Sequence, residues 1–120
     1  KKIGVKKAMV YDAAKIKALA KGDDAFIKKL SEIFTRTSPQ IFKALQEAIA
    51  EKNWQQAGKE AHKLKSSINS LGISDGKKLI EDIEQRCKTK KQLSTVALLC
   101  NKFKIVLDKS IEQLTNNFLN

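Results

Sequence analysis

The sequence predicts an all-α fold: an up-and-down antiparallel four-helix bundle with a short extra helix at the N-terminus. Three observations predict it. Apolar residues recur at steps of three and four along most of the chain, no stretch alternates with period two, and helix-start residues divide the periodic segments with only short connections between them. One proline and five glycines in 120 residues leave that pattern nearly uninterrupted. A chain of this length can close one core unaided, so the expected organisation is a basic arm over residues 1–10 and a single helical domain over 11–120.

The elements follow in order. Asp12 can cap a short helix through Ala20 that carries Ile16 and Leu19, with Tyr11 packing it over one end of the bundle. Lys21-Gly22-Asp23 breaks it, and Asp23 caps a second helix from Asp24 to about Arg36 with a seam of Phe26, Ile27, Leu30, Ile33 and Phe34. Ser38-Pro39 predicts a restart, serine at the cap and proline at the first helical position. That third helix turns Phe42, Leu45, Ala48 and Ile49 inward and ends near Lys52. Asn53 caps a fourth helix with Trp54, Ala57, Ala61, Leu64, Ile68 and Leu71 as its seam, and Gly72 suits the left-handed residue that closes it. Ser74 is expected to cap a fifth helix bearing Leu79, Ile80, Ile83 and Cys87. After the charged connection Lys88–Lys91, a long last helix runs from about Gln92 to Phe118 through Val96, Cys100, Phe103 and Leu107.

The formal net charge of +11 favours acidic partners, whether nucleic acid, anionic lipid or an acidic protein surface. A basic helical module that binds nucleic acid is therefore one alternative class. It is disfavoured because the lysines are spread over every helix, Arg36 and Arg86 are the only arginines, and each phenylalanine lies on or near an apolar seam. Cys87 and Cys100 read as small buried hydrophobes; no disulfide framework or CxxC metal site is present. Neither a membrane-spanning run nor a signal-peptide core is seen, so a soluble cytoplasmic domain is expected, and the missing initiator methionine fits a segment of a longer protein.

The one histidine of the chain, His62, falls on the wet side of the fourth helix. At roughly 100° per residue it lies about 130° from the middle of the seam, and Gln55, Gly58, Lys59, Lys65, Ser66 and Asn69 lie within about 60° of it. An outward imidazole can take and give a phosphoryl group, because a neutral ring nitrogen is a competent nucleophile toward phosphorus. A phosphoryl group would bring about two negative charges, which Lys59 at i−3 and Lys65 at i+3 are placed to offset. Gly58 and Ser66, one turn to either side, are small enough to let another backbone approach, and together with Lys59 and Asn69 they form the candidate docking face. No phosphate-binding glycine run, nucleotide signature or cluster of acidic ligands accompanies the histidine.

The string His62-Lys63-Leu64-Lys65-Ser66-Ser67, followed by Leu71-Gly72, resembles the signature of histidine-containing phosphotransfer (HPt) domains. Phe34, Pro39, Leu45 and Trp54–Ala61 upstream and Leu79–Glu84 downstream fall where that family places similar residues, so the resemblance spans roughly Tyr11 to Leu114. It implies a phosphorelay intermediate of two-component signalling. His62 would accept a phosphoryl group from a receiver-domain aspartate and pass it to another receiver, with Lys65 stabilising the phosphorylated state. Ser66 stands where the family most often has glycine, a departure that bears on docking. The family also uses a polar residue of the following helix to hydrogen-bond the histidine, for which Glu84 and Gln85 are both candidates. The implied partners are response-regulator receivers and a hybrid sensor kinase. No metal or other cofactor is expected on this chain; Mg2+ would sit on the receiver. An inactive relative that only docks is the other alternative.

Overall fold

The computed structural model describes residues 10–119, which form five α-helices and no strand. They are α1 (Ala13–Ala20), α2 (Asp24–Ala50), α3 (Trp54–Leu71), α4 (Ser74–Thr89) and α5 (Val96–Leu114), with a 3-10 turn over Leu93–Thr95 and a π-helical turn over Thr115–Leu119. The four long helices close a ring of packing: α3 against α2 and α4, and α5 against α4 and α2. The expected basic arm lies outside the described residues except for Val10, which is buried and whose N–H donates to Gln113 Oε1 at 2.8 Å. No helix among the described residues is long and apolar enough to cross a membrane.

Three helix starts are capped as the sequence expects. Asp12 accepts from the Lys15 N–H, Asp23 from those of Ala25 and Phe26, and Asn53 from that of Gln56. Each satisfies amides that have no partner inside the helix. The start of α4 differs. Ser74 is its first helical residue and Ile73 takes the cap position with no side-chain bond. The reason is the tightness of the α3–α4 turn, in which Ile73 is buried and its N–H already closes α3 by donating to Ile68 O at 3.0 Å.

The larger correction concerns Ser38-Pro39. The two helices expected on either side of it are one, the 27-residue α2, with Pro39 inside. An interior proline costs about 3 kcal/mol through its absent N–H and its ring. Burial outweighs that cost, because Ile27, Ser31, Phe34, Ser38, Phe42 and Leu45 follow one another at helical steps straight through the proline and all are buried. Hydroxyls also serve the carbonyls upstream: Ser38 Oγ donates to Phe34 O at 2.6 Å and Thr37 Oγ1 to Ile33 O at 2.8 Å. Phe26 and Ile33, expected in the seam, lie at its edge and are exposed, whereas Leu30 packs partly against the core.

The last helix is also less uniform than expected, with the 3-10 turn at its start and the π turn at its end. The π turn carries Phe118 to Tyr11, ring centroids 5.7 Å apart, and Asn117 Nδ2 donates to the Tyr11 hydroxyl at 2.6 Å. Tyr11 is buried there, as the sequence suggested. Short α1 is tied to the α3–α4 turn: the Asp12 N–H donates to Leu71 O at 3.0 Å and Lys15 Nζ to Asn69 O at 2.5 Å. Gly72 permits this twice over, with φ of 66° and with Asp12 Cβ only 2.5 Å from where a Cβ would stand.

Candidate functional site

Alternation of buried and exposed positions on α3 aims the histidine. Ala61 and Leu64 are fully buried, so His62 between them turns to solvent, and 58% of its side chain is exposed. The ring leans on α4, where Nδ1 lies 2.9 Å from Oε2 of Glu84. Glu84 itself is buried, with 5% of its side chain exposed, because Ile83 and Cys87 beside it enter the core. This is the histidine partner that the resemblance left open between two residues. Gln85 is exposed and borders a different hollow with Asp82, Arg86 and Thr89.

Glu84 gathers three partners. Lys65 Nζ meets Oε1 at 2.8 Å, and Lys88 Nζ meets Oε2 at 2.6 Å, on the same oxygen that faces His62. Burial pushes the Glu84 carboxyl upward, but the hydrogen bonds from Lys65, Lys88 and His62 outweigh it and bring it down to about 2. An ionised carboxylate can only accept, so Nδ1 carries a hydrogen, and in the neutral ring the lone pair is on Nε2. The nitrogen left for chemistry is the one pointing away from α4.

That depressed carboxyl makes a pH prediction. A carboxylate whose folded value lies below its unfolded one stabilises the fold above about pH 4.5, and the contribution is lost as pH falls toward 2. Glu84→Gln should therefore cost about 1–3 kcal/mol near pH 7, less than the full shift because the lysines are partly solvated. The gap to the parent protein should close between pH 4.5 and 2, which urea denaturation of both proteins across that range would measure. A gap independent of pH would mean that the ionised carboxylate contributes nothing.

The candidate docking residues fall on different sides of the imidazole. Gly58 and Lys59 border a groove of about 710 Å3 shared with Trp54, His62, Cys87 and Lys88. Gly58 is buried under α4: a Cβ there would lie 3.5 Å from Lys88 Cγ and 3.8 Å from Cys87 Cβ, ordinary contact. The element that approaches the glycine closely is thus the protein's own α4. Ser66 is exposed on the opposite flank, at a smaller hollow of about 160 Å3 with Leu30, Ile33 and Ser70. Asn69 is half-buried beside α1, its carbonyl taken by Lys15. Lys88 is the site residue that the sequence reading missed. Its signal was present, since it stands four residues after Glu84 in the favourable order for a helical ion pair. Both cysteines are free and buried, and burial pushes their thiols up to about 11 and 12. No group of three or more potential metal ligands occurs among the described residues.

Fold and site together define an all-helical protein that shows solvent one imidazole, oriented by a buried carboxylate and bracketed by ammonium groups. The chain matches the Hpt domain family model over residues 29–117, most of its length, and it belongs to that family. No curated protein and no solved structure matches it. Membership puts the chain in histidine phosphotransfer within phosphorelays, where Hpt domains interact with receiver domains.

Proposed function

We propose that His62 is the phosphoacceptor, taking a phosphoryl group from a receiver-domain aspartyl phosphate and delivering it to the aspartate of another receiver. The observation that carries this reading is the placement of an exposed imidazole with Nδ1 2.9 Å from Oε2 of Glu84; a carboxylate accepts from Nδ1–H, so in the neutral ring Nε2 is the nitrogen with the lone pair. Nε2 attacks phosphorus in line, the P–O bond to the aspartate breaks, and the donor leaves as a carboxylate. No proton has to move. The positive charge that the ring gains on forming the N–P bond faces the Glu84 carboxylate through Nδ1–H, and the reverse step returns the lone pair to Nε2. Lys65 supplies charge on this side, while Mg2+ belongs to the acidic pocket of the receiver.

Docking uses the flank on which Ser66 opens toward Leu30 and Ile33 of α2, with Lys59 contributing from the groove on the other side of His62. The four long helices run up and down, antiparallel, joined by their short turns. The work of the domain is cytoplasmic, among response-regulator receivers and a hybrid sensor kinase.

The test is to mix the purified chain with a receiver carrying labelled aspartyl phosphate. Label should pass to the chain as an adduct labile in acid and stable in alkali. Binding without label would instead mark an inactive docking domain. Ser66→Trp should weaken receiver binding about tenfold or more by steric exclusion, with helicity unchanged. Unaltered affinity in that variant would place the interface elsewhere.

A further inference from the structure

Resting on His62 as phosphoacceptor, we infer that Lys88 is a travelling counter-ion, held on Glu84 in the unmodified protein and handed to the phosphoryl oxygens when Nε2 is phosphorylated. Four observations on the ion cluster support this assignment. Lys88 Nζ and His62 Nδ1 share one carboxylate oxygen, so 2.6 and 2.9 Å laid end to end cap their separation at about 5.5 Å. The stem of Lys88 crosses α3 over Gly58, one turn before His62, whereas Lys65 stands one turn after it. The two ammonium groups thus bracket the imidazole from opposite turns. They also differ in freedom: 58% of the Lys88 side chain is exposed against 28% for Lys65.

Charge decides the direction of the exchange. In the unmodified protein one carboxylate holds two ammonium groups, an excess of cation at a buried anion. A phosphoryl group on Nε2 adds about two negative charges within reach of the same side chains. Glu84 keeps Lys65 and the Nδ1–H, whose ring is now cationic, so releasing Lys88 leaves no buried charge unpaired. Only an ion pair is exchanged; no covalent bond or proton is involved.

The consequence is the lifetime of the adduct. Hydrolysis of an N–P bond passes through a loose, metaphosphate-like state that carries less charge on its oxygens than the starting dianion. A cation bound to those oxygens therefore stabilises the adduct more than its transition state and slows its loss.

The experiment uses the whole chain phosphorylated with phosphoramidate, which needs no receiver. After the donor is removed, Lys88→Met should shorten the half-life of the adduct about three- to tenfold, and Lys88→Arg should restore most of it. The 31P resonance of the phosphoryl group should move, with its titration shifted upward in Lys88→Met, a change that a merely structural lysine would not produce. Thermal midpoints of the unmodified proteins should differ only by a few degrees, since Glu84 keeps Lys65 and the His62 Nδ1–H when Lys88 is lost. An unchanged half-life and an unchanged 31P titration in Lys88→Met would overturn the inference. Failure of phosphoramidate to label the parent protein would overturn both this inference and the reading of His62. Labelling without exchange to any receiver would sink the relay alone, and the Lys88 comparison would still decide this proposal.

Discussion

His62→Gln should fold as the parent protein does and accept no phosphoryl group, with transfer from a labelled receiver falling on the order of a thousandfold or more. The loss is total in kind because the other nitrogens on this face are poor nucleophiles: Lys59, Lys65 and Lys88 carry ammonium groups, the last two tied to Glu84, and Gln55 and Asn69 carry amides. The fold survives because the imidazole is more than half exposed, and such substitutions usually stay within about 0.5 kcal/mol. Glutamine can also donate from its amide to Glu84 and keep that carboxylate partnered. Two measurements separate the effects, label transfer for the chemistry and a urea titration for the fold. Label persisting in the variant would move the acceptor to another residue. Label and folding lost together would make His62 a structural residue and remove the support for its role.

The exposure of His62 was legible in the sequence because it depends on α3 alone. Its seam at Ala57, Ala61, Leu64, Ile68 and Leu71 fixes which way the helix faces, and all five are buried. What lay beyond the sequence needs two helices. Glu84 and Gln85 are adjacent polar residues about 100° apart on α4, and only the rotation of α4 against α3 decides which one reaches the imidazole. The same fact splits the residues around His62. On the helical wheel Gly58 and Lys65 fall to one side and Ser66 to the other. α4 covers the first side, so Gly58 is buried while Ser66 stays open. Local rules misled at two places where burial overrode them. Ser38-Pro39 has the form of a helix start, yet the buried run from Phe34 through Ser38 to Phe42 already carried the step of four that joins the two halves. Ser74 is a good capping residue, but the buried Ile73 next to it had been claimed by the turn.

Phe103→Ala should be the most destabilising single truncation, costing about 3–5 kcal/mol and lowering the thermal midpoint by roughly 10–20 °C. Phe103 is fully buried on α5 and joins three helices. Its ring stands 5.9 Å from that of Phe42 on α2, tilted by 33°, and its Cε1 would lie 3.3 Å from a Cβ added at Gly76 on α4. Truncation therefore opens a cavity where three elements meet, and Gly76 on its α4 side has no side chain with which to fill it. Since α4 carries Glu84, phosphoryl acceptance should persist at low temperature and vanish early on warming, in step with the loss of helicity. Gly76 supplies the internal control. Gly76→Ala alone meets a tight contact with Phe103, so the helix-propensity gain of about 1 kcal/mol should be largely cancelled. In the Phe103→Ala background the methyl group enters vacated space, and the gain should return in full. A double-mutant cycle in urea would read this as a favourable coupling of about 1 kcal/mol between the two positions. Strict additivity would show that Phe103 does not bear on α4, and that some other contact fixes the helix that holds Glu84 against the histidine.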